Sequence, residues 1–155
     1  MHFENQAFVQ AEPQELWEFL MDTLQVAECI PGVQDVRAVN PDNYTGVMKV
    51  RVGPVALHFT GKMSITERDS ERWRASMRAE GTDKGVGGAA RASVTMTLRE
   101  MSPTSTQLTV ITEADVLGKL GEFGQPIMRS RADKIMTEFA ANVSKRFVAG
   151  HGPAT

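Results

Sequence analysis

The sequence predicts an α+β fold: a curved antiparallel sheet of about seven strands wrapped around one long C-terminal helix, with two short helices after the first strand. Three observations carry this. Residues 117–147 hold helical periodicity long enough to span a small domain. Residues 33–116 alternate with period two in runs joined by short turns. Between a first strand and those runs lie two short helical patterns ended by Ile30-Pro31-Gly32.

The long helix shows its apolar face at Leu120, Phe123, Ile127, Met128, Ala132, Ile135, Met136, Phe139, Ala140, Val143 and Phe147. That is the i, i+3, i+4, i+7 spacing of one broad stripe. Lys134, Thr137, Ser144 and Lys145 occupy the other side. From 120 to 147 such a helix is roughly 40 Å long, so it needs a surface of similar length to cover it.

Residues 2–10 read as the first strand. Pro13 and Glu15 open a helix, since proline is tolerated in the first turn and acidic side chains suit the positive helix end. Leu16, Trp17, Phe19, Leu20 and Leu24 make its expected buried face, and 25–29 form a second short helix. Strands follow at 33–39 and 44–52, separated by Asn40-Pro41-Asp42-Asn43. In the second of them Met48, Val50 and Val52 point away from Lys49 and Arg51. After the Gly53-Pro54 corner, Val55, Leu57, Phe59, Met63 and Ile65 alternate with His58, Thr60, Lys62, Ser64 and Thr66. Trp73, Ala75, Met77 and Ala79 form the next inward series, and a glycine-rich link runs from 81 to 88. Ala90, Ala92, Val94, Met96 and Leu98, then Leu108, Val110, Thr112, Ala114 and Val116, complete the sheet. Clean alternation over hairpin links means an antiparallel sheet with one wet face, and only the C-terminal helix is long enough to cover the dry one.

The 155 residues suit a single domain, here 1–148, with 149–155 as a frayed tail. A net charge of −2 offers no global basic field for nucleic acid. The lone cysteine, Cys29, excludes an internal disulfide or a multi-cysteine metal site. The N-terminus lacks a secretory pattern, and no segment approaches the ~20 apolar residues of a membrane span. The expectation is a soluble, cytoplasmic protein. Nine methionines against one tyrosine fit either an ordinary core or a soft-walled ligand cavity.

Small residues recur on the inward face: Gly61, Ala75, Ala79, Ala90, Ala92 and Ala114, opposed by Gly124, Ala132 and Ala140 of the helix. A curved sheet lined this way does not close fully onto a helix, unless Trp17, Phe59, Trp73, Phe123 and Phe139 fill the gap. The expected result is an apolar hollow, the usual form of a small-molecule site.

Catalytic chemistry finds little support. His2, His58 and His151 are scattered, and HExxH, nucleophile-elbow and Walker patterns are absent from the sequence. No metal site is expected. The glycines Gly118, Gly121 and Gly124 have GxxGxxG spacing rather than the dinucleotide fingerprint, and suit close packing or a hinge at a cavity mouth. Glu113 and Asp115 fall on the outward phase. Cys29 reads as packing rather than reactive chemistry. From 119 to 147, six basic residues stand against three acidic ones, a solvated face or a surface for anionic lipid.

Four stretches together resemble a known family. They are Cys29-Ile30-Pro31-Gly32, the run Val50-Arg51-Val52-Gly53-Pro54-Val55 through Phe59-Thr60-Gly61-Lys62, Gly87-Gly88-Ala89-Ala90, and Val116-Leu117-Gly118-Lys119-Leu120. Over about residues 3–148 the chain resembles the CoxG family, the G-type subunits of carbon monoxide dehydrogenase, within the START-like (SRPBCC) helix-grip superfamily. The resemblance implies a helix-grip fold with a deep apolar tunnel and a role beside a molybdenum-containing carbon monoxide dehydrogenase. It also implies peripheral contact with the inner face of the cell membrane and binding of a respiratory quinone, menaquinone or another isoprenoid quinone. Some relatives continue into a membrane-contacting tail, whereas this sequence stops at Thr155. Gly121, Gly124 and Pro126 depart from a regular helix start.

The expected function is therefore a non-catalytic carrier that holds a hydrophobic ligand and shuttles it between membrane and dehydrogenase. Val50, Leu57, Phe59, Met77, Met96, Phe123, Ile127, Met128, Ile135 and Phe139 form the expected wall, with Arg131 as a donor to a ligand head group. Arg131 lies between Ile127 and Ile135, so its stem could instead snorkel toward the edge. Two alternatives stand beside this: a ligand-free anchoring or assembly factor for the dehydrogenase, and a cyclase-like enzyme needing polar groups that the inward positions do not supply.

Overall fold

The computed structural model describes residues 1–150, with side chains described through Phe147. Seven strands form one antiparallel sheet in the order β1-β7-β6-β5-β4-β3-β2. They are β1 (His2–Val9), β2 (Val33–Asn40), β3 (Asn43–Val52), β4 (Val55–Asp69), β5 (Arg74–Asp83), β6 (Gly88–Ser102) and β7 (Ser105–Gly118). After β1 the chain leaves the sheet for α1 (Pro13–Leu20) and α2 (Thr23–Cys29) and returns at the opposite edge as β2. A 3-10 turn, Lys119–Phe123, leads into α3, Gln125–Gly150. The START-like helix-grip architecture expected from sequence is the one observed.

Local chemistry accounts for the punctuation. Pro13 sits in the first turn of α1, where its missing N–H leaves no bond unmade. Asp22 caps α2, its side chain accepting from the backbone N–H of Gln25. Asn40 Oδ1 accepts from the N–H groups of Asp42 and Asn43 and closes the β2–β3 turn. In β1 the side chains alternate: Phe3, Asn5 and Val9 are buried while Glu4, Gln6 and Phe8 face out.

Three expectations are corrected. Leu24 does not extend the buried face of α1; the Asp22 cap starts a new helix there, and Leu24 is 46% exposed. The long helix begins at Gln125 rather than Leu120, because Gly124 has φ +80° and interrupts the helical backbone. From Gln125 to Gly150 it is still about 39 Å long. The glycine-rich link is shorter than expected: Gly81 to Asp83 belong to β5, paired with 88–90 of β6. The tail expected from 149 falls at the end of α3 and on 151–155, which lie outside the described residues.

Polar contacts clasp α3 along β1. Gln125 Nε2 donates to the His2 carbonyl, Asn5 Nδ2 donates to Asp133, and the Gln10 N–H donates to Ser144 Oγ. Farther along, Asn142 Nδ2 donates to the Cys29 carbonyl at 2.9 Å and ties α3 to α2. The close backbone approaches of α3 are thus to β1 and α2, with β3 met at the other side of the sheet.

The apolar interior is divided. One buried cluster joins Val9, Leu16, Trp17, Cys29, Leu98 and Leu108 to Ala140 and Val143 of α3. The other joins Val52 and Leu57 to Leu120. They fill opposite ends of the sheet, and the middle lies between them.

Candidate functional site

Three cross-strand rows cross the middle of the sheet on the face toward α3. Register places Gly61, Gly81, Ala90 and Val116 side by side, then Met63, Ala79, Ala92 and Ala114, then Ile65, Met77, Val94 and Thr112. All twelve are half-buried, and none is fully buried. Opposite them α3 presents Met128, Arg131, Ala132, Ile135, Met136 and Phe139, also half-buried, at the spacing of one helical stripe. The same stripe becomes fully buried at Ala140 and Val143, where it enters the α1 end cluster.

Small side chains make the hollow. Glycine or alanine holds six of the twelve floor positions, so α3 rests on the two end clusters instead of the floor. Gly61 sharpens the bend: a Cβ there would lie 1.9 Å from the Glu80 carbonyl oxygen, so only glycine lets β4 and β5 approach this closely. The consequence is apolar surface held beside space that a ligand can fill. Removing such surface from water is worth roughly 25 cal/mol per Å².

The expected wall residues divide among three places. Met77 and Ile135 face the hollow and belong to neither end cluster. Met96 and Phe139 pack against the α1 cluster from the hollow side. Val50, Phe59, Phe123 and Met128 do the same at the Leu120 cluster. Leu57, 2% exposed, sits inside that cluster, where the β3–β4 corner narrows the sheet. Ile127, 45% exposed, stands on the rim. Its displacement follows from Gly124: once the helix restarts at Gln125, the inward stripe runs through Met128 and Arg131 rather than from Phe123 to Ile127. Met63, Val94 and Met136 also line the space. Their inward phase is legible from alternation and periodicity, but their adjacency depends on strand register.

Two clefts flank the first turns of α3. One, of about 430 Å³, is lined by Gly53, Pro126, Ile127, Ser130, Arg131 and Lys134. The other, of about 470 Å³, is lined by Gln125, Pro126, Arg129, Ser130, Asp133 and Lys134. Arg131 is half-buried and has no hydrogen-bond or ion-pair partner among the described residues. A guanidinium in that state has donors to offer an incoming oxygen atom.

Other titratable groups are structural. Asp83 is 3% exposed and accepts from the N–H groups of His58 and Val86, at 2.5 and 2.7 Å. It pins the β5–β6 turn to the start of β4. These N–H donors, His58 first, hold its carboxyl below the usual carboxylate range. Burial pushes the Cys29 thiol up, away from the thiolate that reactive chemistry needs. Glu113 and Asp115 are exposed, and Glu113 pairs with His2. Among the described residues no three His, Cys, Asp or Glu side chains gather to hold a metal ion. No helix among them is long and apolar enough to cross a membrane.

Solved structures share this fold at low sequence identity. A conserved protein from Geobacillus kaustophilus superposes with TM-score 0.86 at 20% identity, covering 98% of each chain. The ZhuI aromatase/cyclase from Streptomyces sp. R1128 gives 0.67 at 17%, covering 99% of this chain and 97% of that one. A START superfamily protein from Mycobacterium smegmatis gives 0.64 at 11%, covering 94% and 95%. No curated protein matches the sequence. Residues 6–148 match the CoxG family, described as the G-type subunit of carbon monoxide dehydrogenase. Because that match runs from β1 through nearly all of α3, the chain belongs to the CoxG family of carbon monoxide dehydrogenase subunits.

Proposed function

We propose that this chain is a non-catalytic carrier of a hydrophobic ligand, an isoprenoid quinone such as menaquinone. It would take the ligand into the hollow between sheet and α3 and pass it between a membrane and a molybdenum-containing carbon monoxide dehydrogenase. The observation that supports this most is the divided interior. Two filled clusters hold the ends of the fold, while twelve floor positions between them stay half-buried. A protein whose only task was to anchor another would gain stability by filling that space. Partner and family name agree: family members are named as a subunit of that dehydrogenase.

The chemistry fits a ligand with a long apolar tail and an oxygen-bearing head. Methionine and alanine walls accept a flexible isoprenoid chain, since Met adapts to irregular shapes. Arg131, at the cleft beside Gly53, is placed to donate to a quinone oxygen. Quinone held this way is kept from water and could carry reducing equivalents from the enzyme.

Organic extraction of the purified protein, followed by mass spectrometry, tests the reading. Near-stoichiometric quinone is the expected result, with Arg131→Gln lowering quinone uptake about tenfold through loss of a charge-assisted hydrogen bond. An empty extract with no uptake on reconstitution would replace the carrier by the ligand-free anchoring or assembly factor. A phospholipid or fatty acid in place of quinone would keep the hollow and remove the redox role.

A further inference from the structure

Charge is polarised along the molecule. The β3–β4 corner, the β5–β6 turn and the segment from the end of β7 into α3 lie at one end of the sheet, joined by the Val52–Leu57–Leu120 cluster. In residues 51–56, 84–88 and 117–134 six Lys or Arg stand against two Asp or Glu, in a chain whose net charge is −2. One of those two acids, Asp133, is engaged by Asn5. The opposite end is acidic: residues 12–22, which include α1, hold Glu12, Glu15, Glu18 and Asp22 and no Lys or Arg.

The basic end also exposes large apolar side chains. Leu117 is 51% exposed and Ile127 45%, and Pro54 and Pro126 are exposed beside them. These four stand on separate segments around the 430 Å³ cleft that runs beside Arg131. Apolar tips spaced among cations match an interface in which hydrocarbon lies just beneath anionic head groups. A folded acidic partner would more commonly be met by a contiguous apolar patch with a polar rim.

We infer that this end, with Lys84 and Lys119 as electrostatic contacts and Leu117 as an inserting side chain, is the surface that docks on an anionic bilayer. Docked so, the cleft between Gly53 and α3 faces the lipid and the acidic α1 end points away. The assignment of the cleft as the ligand's route rests on the carrier reading; the charge and apolar pattern support the docking end without it.

Vesicle flotation of the full chain tests it, using phosphatidylcholine vesicles with and without phosphatidylglycerol. Binding is expected only with the anionic lipid and should weaken as salt rises. Removing each contributing cation should cost about fivefold, so Lys84→Gln with Lys119→Gln should bind about 25-fold more weakly. Leu117→Glu, a change at an exposed position that folding should tolerate, should also lose binding. Arg72→Gln with Arg99→Gln, near the opposite end, should stay within about twofold of the parent. Equal binding to neutral vesicles, or an equal loss in the Arg72 and Arg99 variant, would overturn the inference. Absence of anionic-vesicle binding would overturn it too, and would leave the basic end to an acidic protein surface. Menaquinone uptake from detergent, measured in parallel, separates the two ideas. The lysine variant should take up quinone normally; failure of uptake by the parent would defeat the carrier reading while the flotation result stands.

Discussion

Ala92→Leu distinguishes a hollow from a packed core. Ala92 lies at the centre of the floor, with Ala79 on one neighbouring strand and Ala114 on the other. It faces α3 and is only half-buried. The substitution adds three carbons, worth about 2.4 kcal/mol at ~0.8 kcal/mol each if fully buried. On a half-open floor about half of that is expected, a gain near 1 kcal/mol. In a well-packed core the same change would force off-rotamer side chains and cost about 1–3 kcal/mol. For a domain of this size 1 kcal/mol moves Tm by roughly 3 °C. The assay is thermal and urea unfolding of delipidated protein, with quinone uptake measured on the same samples. The expected variant melts about 3 °C higher and takes up less quinone, because leucine occupies the ligand's space. A variant that melts several degrees lower yet binds quinone normally would refute both the hollow and its role.

Ile135→Asp places a carboxylate on the ceiling of the hollow, away from both end clusters, so the ligand-free fold should survive while ligand retention is abolished. Stoichiometric ligand on a folded variant, judged by extraction and circular dichroism, would remove Ile135 from the site. Gly61→Ala should cost at least about 2 kcal/mol in urea unfolding, since the new Cβ meets the Glu80 carbonyl of the neighbouring strand; an unchanged midpoint would show that the strands can part there without cost. The folded-state pKa of Asp83 is depressed. Its contribution is therefore present above the unfolded carboxylate value near 3.9 and is lost as pH falls through the lower folded value. Asp83→Asn should thus destabilise the protein at pH 7 and show a flatter acid limb; a parallel acid limb in the two proteins would remove Asp83 as its source.

Strand phase was legible residue by residue, because each strand carries its own period of two and one face of the sheet is covered. Val50, Phe59, Met77 and Met96 all fall on the inward face as expected. Register was not legible, because it depends on which residue of one strand meets which of the next. The row Met63, Ala79, Ala92 and Ala114 exists only through pairings across four strands. Alternation therefore finds inward residues but cannot say which of them surround one space. The irregularity between Ile65 and Glu67 adds to this, since one extra residue there shifts every later pairing between β4 and β5.

The helix shows the opposite balance. Its stripe from Met128 to Val143 was read correctly from periodicity, yet its start and the placement of Ile127 were not. Helical phase propagates at about 100° per residue, so a break of one residue rotates the side chains before it relative to those after it. Gly124 is such a break. It leaves Leu120 and Phe123 in the end cluster with Leu57, frees Ile127 to the surface and sets Arg131 on the inward side of the cleft. The irregular glycine and proline pattern before α3 therefore does more than end a strand. It lets one segment seal the end of the hollow while the next spans it, and the opening between Gly53 and Arg131 lies where the two meet.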